Sequence, residues 1–409
     1  MEKIAIIGGG PAGMLGAIAA SQTNTQVDLY EQNEKLGKKL YITGKGRCNL
    51  TNACDKDTFF DHIMTNSRFL YSAFSTFDNQ DFMQLIEAAG CPLVVERGKR
   101  VYPKSNKSND INKTLEKILR RNKVNIYLNT PVERIVIKEG ENPEVEALIL
   151  CDGTKKYYDK IIMATGGISY QSTGSTGWGH EEARRLGHKM VSCRPSLVGL
   201  ITRDNWPCEL QGLTLKNVGL SLYHKQKKIA SDLGEMLFTH FGVSGPMVLT
   251  YSSMMKKTPV DYRLSLDLKP GLTEEQLHKR LLKDFDLYQN KKVINALVDL
   301  LPQRLILVVL GFAKIDENKR TNQISKKERQ NLVDVIKKIP IEISDFYSMD
   351  SAIITAGGVS VKDVNPKTME SKKILGLYFA GELLDLDGTT GGFNLQIAAS
   401  TGWLAGLEK

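Results

Sequence analysis

Gly8, Gly10 and Gly13 stand in a GxGxxG spacing directly after the apolar run Ile4-Ala5-Ile6-Ile7, and an acid, Glu31, closes a second apolar run 18 residues past Gly13. That combination suits the binding of a dinucleotide. The first glycine permits a tight turn, the second lets a pyrophosphate approach the backbone, and the third lets the helix and strand touch. The phosphates would sit on the N-terminus of the following helix, where unpaired N–H groups and the helix dipole favour negative charge. Glu31 is placed to accept from a ribose, and it would repel a 2′-phosphate. A glycine turn alone is common; the strand before it, the Ala-rich segment Met14 to Ser21 after it and the acid at the end of the next strand make it specific.

Two later stretches offer similar chemistry. The apolar strand Lys160 to Ala164 stops at Thr165-Gly166-Gly167, and Gly376 to Ala380 stops at Gly381-Glu382. Gly388 to Gln396 is glycine-rich and opens a last helix, Ile397 to Ala405, whose start again offers free N–H groups. Between Thr43 and Asn52 the density of Gly, Lys, Arg, Asn and Thr predicts a loop that could close over a ligand's phosphates or ring. The alternative there is a solvated basic loop.

These pieces must be positioned by strands and helices drawn from both ends of the chain. Residues 59–89 and 109–122 read as helices, and 132–137 with 145–150 as antiparallel strands around the turn 140–143. Past Pro195 short alternating runs replace the strand–helix pattern, then a capping box at Thr273 and Gln276 starts a run of helices to about Lys338. The expected architecture is α/β: a discontinuous nucleotide domain, residues 1–193 and 346–409, interrupted by an inserted domain, 194–345, β-rich over 194–270 and helical over 271–345.

Composition bounds the rest. At 409 residues two domains are the default. No apolar run approaches the 18 or so residues of a membrane span, and the charged Glu2 and Lys3 followed by a strand do not resemble a secretory leader. Six cysteines without a CxxC argue against a zinc site and a disulfide framework, so a reducing cytoplasm fits best and no metal is expected. Most of the net charge of +9 lies between Arg194 and Asp345, with 24 Lys and Arg against 17 Asp and Glu. Such an excess can attract a polyanion such as RNA; a plain lysine-rich solvated surface is the alternative.

Taken together, Gly8 to Gly13, the Gly-Arg-Cys-Asn loop at 46–49, the Phe-Thr-His-Phe-Gly-Val-Ser-Gly-Pro segment at 238–246, Thr355 to Val359 and Phe379 to Gln396 resemble the two-dinucleotide-binding flavoproteins. More narrowly they resemble the BaiN/RdsA family of NAD(P)/FAD-dependent oxidoreductases, across nearly the whole length. The resemblance implies a Rossmann-like FAD-binding domain with the inserted domain covering the flavin. It implies phosphate contacts at Gly10, Pro11, Ala12 and Gly13, a ribose contact at Glu31, and Lys38, Lys39, Gly46, Arg47, Cys48 and Asn49 along the cofactor. Val132 would meet the adenine through its backbone, Gly166 would close the nucleotide side, Gly381 and Glu382 would approach the ribityl-pyrophosphate region, and Gly392, Asn394 and Leu395 the flavin ring. No second glycine fingerprint for NAD(P)H is present, so any nicotinamide would dock transiently as an electron donor.

The function expected from these residues is hydride transfer between flavin N5 and a carbon centre. The resembled family implies three substrate classes: uridine in ribosomal RNA, reduced to dihydrouridine; steroid-like enones; and small amines oxidised with oxygen. The basic middle segment favours RNA over a small molecule; a non-catalytic FAD-containing RNA-binding scaffold is a further alternative. Cys48 and His240 are the candidate proton donors, each weighed against a structural role as an inert buried thiol or a hydrogen-bonded histidine.

Overall fold

The computed structural model describes residues 1–256 and 258–407. The chain divides into two compact units, Met1–Ser196 with Ser348–Lys409, and Leu197–Tyr347. The divisions fall three and two residues later than the sequence places them. Strand Met190–Ser196 continues through the expected boundary to pair antiparallel with Ile354–Val359 inside the first unit.

The first unit is built on a five-stranded sheet in the order Leu377–Phe379, Lys160–Met163, Glu2–Ile7, Thr25–Tyr30, Asn125–Tyr127, every pairing parallel. Ile4, Ala5, Ile6, Ile161, Ile162 and Met163 are buried, as parallel strands covered on both faces require. Helix Pro11–Ala20 is apolar on all sides and nearly all buried, so it must be enclosed. Its second cover is the C-terminal helix Phe393–Gly406, and small residues set the distance. A Cβ on Gly402 would lie 2.1 Å from the Ala12 carbonyl, and one on Gly406 would lie 2.1 Å from that of Gly16. Only glycine lets these two backbones touch, and the contact joins the two ends of the chain.

Residues 59–89 are not one helix but parts of three, Lys56–Asp61, Tyr71–Thr76 and Asn79–Ala88. The left-handed Asn66 (φ 52°) and a capping box at Asp78 and Asp81 interrupt the run. A three-stranded antiparallel meander, Val132–Lys138, Glu144–Leu150 and Lys155–Tyr157, lies where alternation predicts strands.

The second unit is a closed six-stranded barrel, in the order Leu200–Thr202, Gly242–Ser244, Lys227–Thr239, Thr214–His224, Tyr262–Asp267, Ile339–Phe346. All pairings are antiparallel, and the last strand returns to the first. Leu220, Leu222, Phe238, Leu264, Leu266, Ile341 and Ile343 fill it. The part expected to be wholly helical, 271–345, is corrected here. Helices Glu274–Leu287, Gln303–Ala313 and Lys326–Lys337 occupy most of it, but Ile339–Phe346 is the strand that closes the barrel.

Candidate nucleotide and active site

Three glycines of the first turn differ in what they face. A Cβ on Gly8 (φ +106°) would lie 2.5 Å from the Ala164 carbonyl, and one on Gly13 would lie 1.8 Å from the Gly8 carbonyl, whereas one on Gly10 would meet nothing within 4 Å. The outer two are dictated by packing, and the middle one fronts open space. Gly10 is the N-cap of helix Pro11–Ala20, Pro11 is its first residue, and no side chain caps it. The N–H groups of Ala12 and Gly13 therefore lack helical partners.

Glu31 is buried with its carboxylate turned back onto this turn. Oε2 accepts from the Gly9 N–H at 2.7 Å, and Oε1 accepts from the Asn33 N–H at 2.8 Å and its Nδ2 at 2.7 Å. A carboxylate has about four lone-pair sites, so one is left to receive a hydroxyl. Gly381 (φ +72°) presses on the same turn, since its Cβ would lie 2.7 Å from that of Ala12, and its N–H donates to Thr401 Oγ1 at 2.9 Å. Gly166 (φ +73°) follows Thr165, whose buried Oγ1 lacks a partner, and Val132 is buried at the start of the meander. A Cβ-free approach at Gly10 and an unspent acceptor on Glu31 fit a dinucleotide.

The C-terminal loop supplies the other end. A Cβ on Gly392 (φ +99°) would lie 2.4 Å from the Thr51 backbone. Asn394 clamps its own loop: Nδ2 donates to the Gly388 carbonyl at 2.8 Å and Oδ1 accepts from the Gly388 N–H at 2.9 Å. With its amide oriented to complement both neighbours, Asn49 accepts from the Gly392 N–H at 3.0 Å and donates to the Thr51 carbonyl at 3.1 Å. Leu395 is half-buried beside them, and helix Phe393–Gly406 begins with no side-chain cap.

Several charged residues expected along the cofactor make contacts within the protein. Lys39 Nζ donates to Ser169 Oγ at 2.8 Å and to Glu382 Oε1 and Oε2 at 3.0 and 2.8 Å. Glu382 Oε1 also accepts from the Thr355 N–H at 2.7 Å. Lys38 bonds Asn33 and Glu34. Arg47 pairs with Glu96, donates to Asn106 Oδ1 at 2.7 Å and lies 4.1 Å over the Tyr102 ring, while Gly46 beside it is exposed. Cys48 is fully buried, and burial pushes its thiol up to about 12. It packs in the core and keeps its proton.

His240 is exposed in the barrel unit. Its Nε2 lies 3.3 Å from the Tyr347 hydroxyl, and its ring packs edge-on against Phe241.

A strap that sequence reasoning missed holds the C-terminal loop. His62 stacks on Phe393 at 4.3 Å, its Nδ1 lies 2.8 Å from Thr389 Oγ1, and its carbonyl accepts from the Thr389 N–H at 2.9 Å. Thr65 and Ser196 donate to the buried carboxylate of Asp387, and Asn66 donates to Asp385. Burial raises both carboxyls above the ordinary range. Only the Asp-x-Asp-Gly spacing at 385–388 signals this in the sequence.

Among the described residues no group of three or more His, Cys, Asp or Glu could hold a metal ion, and no helix is long and apolar enough to cross a membrane.

The profile of the HI0933-like protein Rossmann domain matches residues 2–408. The 3-dehydro-bile acid delta(4,6)-reductase of Clostridium scindens is 32% identical over 412 residues, covering 99% of this chain and 98% of that protein. The ribosomal RNA dihydrouridine synthase of Haemophilus influenzae is 32% identical over 415 residues, covering 98% and 97%. Among solved structures, the 3-ketosteroid-delta4-(5alpha)-dehydrogenase of Rhodococcus jostii RHA1 superposes with a TM-score of 0.54 at 12% identity, covering 100% of this chain and 97% of that one, a likeness of fold. With a profile match along almost its whole length and relatives matched end to end, the chain belongs to the HI0933-like Rossmann family and is an oxidoreductase of the flavoprotein type.

Proposed function

We propose that this protein is an FAD-dependent oxidoreductase that reduces a conjugated carbon–carbon double bond, with uridine in ribosomal RNA as substrate and dihydrouridine as product. The observation that carries the cofactor reading is the junction of Ala12 with Gly381 and Gly402. It assembles the glycine turn, Glu31 and the start of helix Phe393–Gly406 in one unit, so both halves of a long dinucleotide find partners there.

When bound, FAD supplies reversible hydride transfer at flavin N5. The chain's residues bind and orient it. Gly10, Pro11, Ala12 and Gly13 admit the diphosphate to a helix N-terminus, Glu31 receives a ribose hydroxyl, and the Val132 backbone and Gly166 flank the adenine side. Gly381 and the Glu382 backbone border the ribityl chain. The Lys39–Glu382 pair ties the Thr43–Asn52 side of the site to the late strand. Gly392, Asn394 and Leu395 present a helix start that favours negative charge on the ring edge it faces. For the accompanying proton, Cys48 and His240 are the candidates. Without a second glycine fingerprint, NAD(P)H as electron donor would dock only transiently, or another donor serves.

The Haemophilus relative supports the uridine reading, as does the basic middle segment. The Clostridium relative supports a second reading, in which a steroid-like enone is the substrate of the same hydride chemistry. Mass spectrometry of ribosomal RNA from a deletion strain separates them. Loss of dihydrouridine supports the first; an unchanged level, together with enone reduction by the purified protein, moves the assignment to the second. The cofactor reading is tested independently, since a purified protein that is colourless and stays so when soaked in FAD removes it.

A further inference from the structure

The longest hairpin of the barrel, Thr214–His224 with Lys227–Thr239, turns through only two residues, Lys225 (φ +53°) and Gln226. A turn this short holds Lys225, Lys227 and Lys228 on a stiff tip, and all three are exposed. Cross-strand register adds to them. Lys228 lies opposite Tyr223, Tyr223 opposite Arg263, and Arg263 opposite Glu342, so the four share one outward row across four strands. The Arg263 guanidinium sits 5.2 Å over the Tyr223 ring. Ser221 and Ser231 follow on the same face, hydroxyl to hydroxyl at 2.9 Å. Beside the row Lys225, Gln226, Val260, Asp261, Tyr262, Arg263 and Glu342 line a shallow, open hollow.

We infer that this end of the barrel docks the phosphodiester backbone of RNA, with Lys225, Lys227, Lys228 and Arg263 on phosphates and the Arg263–Tyr223 pair beside a base. The inference rests on the uridine reading above. Charge complementarity carries it: Lys225 in the tight turn and Lys227, Lys228 and Arg263 on strands stand beside the acids Asp261 and Glu342 and the neighbouring Lys338–Glu274 pair, with an aromatic ring and hydroxyls among them, the mixture that single-stranded RNA rewards. Cations fixed on a hairpin also spend less entropy on binding than cations on a loose tail.

The test compares the FAD-loaded wild type with the quadruple variant K225A/K227A/K228A/R263A, by fluorescence anisotropy of a labelled single-stranded RNA across a salt series. Four lost phosphate contacts reduce the slope of log affinity against log salt by about 3, and weaken binding by about tenfold or more at low salt. Flavin content and reduction of the bound flavin by dithionite stay unchanged, because none of the four belongs to the nucleotide site. A charge-preserving variant, K225R/K227R/K228R/R263K, retains the wild-type slope. If the alanine variant binds with wild-type affinity and slope, this surface is wrong while RNA remains the substrate. If the wild type itself does not bind RNA, the uridine reading falls and takes the surface with it. An equal loss of affinity for anionic vesicles or polyaspartate overturns RNA as the specific occupant.

Discussion

In the nucleotide unit a Cβ on Gly13, Gly392, Gly402 or Gly406 would come within 2.4 Å of a backbone atom, so single positions admit a single residue. The barrel unit rests instead on alternation: Leu220, Leu222, Leu264, Leu266, Ile341 and Ile343 are each buried, and each is one of several apolar choices that the position would accept. The first kind of constraint leaves a signature of fixed spacing, the second only a rhythm. A nucleotide site can therefore be found in a sequence by its glycines, while a barrel can be recognised as β-rich without revealing which strand neighbours which.

The contrast is open to direct attack. Gly13→Val should have the largest effect, because its Cβ has no room beside the Gly8 carbonyl. We expect a loss of stability of about 3 kcal/mol or more, with a colourless protein on purification; normal thermal unfolding and full flavin content would contradict the packing described. Leu220→Ala should cost about 2–5 kcal/mol through lost burial and a cavity. Chemical unfolding followed by a barrel probe should report it, while flavin content per folded molecule stays level. Glu31→Ala removes an acceptor that also holds the Gly9 N–H, and should weaken FAD binding by about ten- to a hundredfold in a fluorescence titration, with little change in the barrel.

A pH experiment sharpens the comparison further. Burial holds the imidazoles of His62, His180 and His188, all in the nucleotide unit, below their ordinary value of 6.5. The folded state takes up these protons less readily than the unfolded chain does. Their contribution to stability is thus intact above about 6.5 and is lost as pH falls below it toward the depressed values. Both ring nitrogens of His180 lack partners, so His180→Leu should leave alkaline stability nearly unchanged and flatten the acid decline in thermal unfolding. The smallest effect belongs to Arg47→Lys. The Arg47–Glu96 pair is partly exposed on both sides, and such pairs contribute about 0–1 kcal/mol; a large drop in FAD affinity would return Arg47 to the cofactor.

What could be read in advance follows the same division. The strand, the Gly8–Gly13 turn and the helix after it were legible because they depend on a backbone conformation at fixed spacing. The destinations of Lys39, Glu382 and Arg47 were not, since long side chains choose partners from distant segments, and the ion pairs span 343 and 49 residues. Gly402 and Gly406 stand four apart on a helix, as Ala12 and Gly16 do, a small-residue pattern that signals a close helix pair but passes for ordinary alanine-rich sequence. In Ile339–Phe346 the alternation of Ile339, Ile341 and Ile343 with Pro340, Glu342 and Ser344 marks a strand. It begins beside a proline and follows directly on a helix, so the rhythm is easily missed.

The embrace of helix Pro11–Ala20 by helix Phe393–Gly406 carries a consequence for biosynthesis. The ribosome makes the first helix before the barrel and the second only after the entire barrel has emerged. Until then the Ala-rich helix, apolar on every side, has one flank without its cover. A nascent chain halted before Phe393 should therefore be retained by chaperones and take up no flavin, and colour should appear only after the last helix has docked.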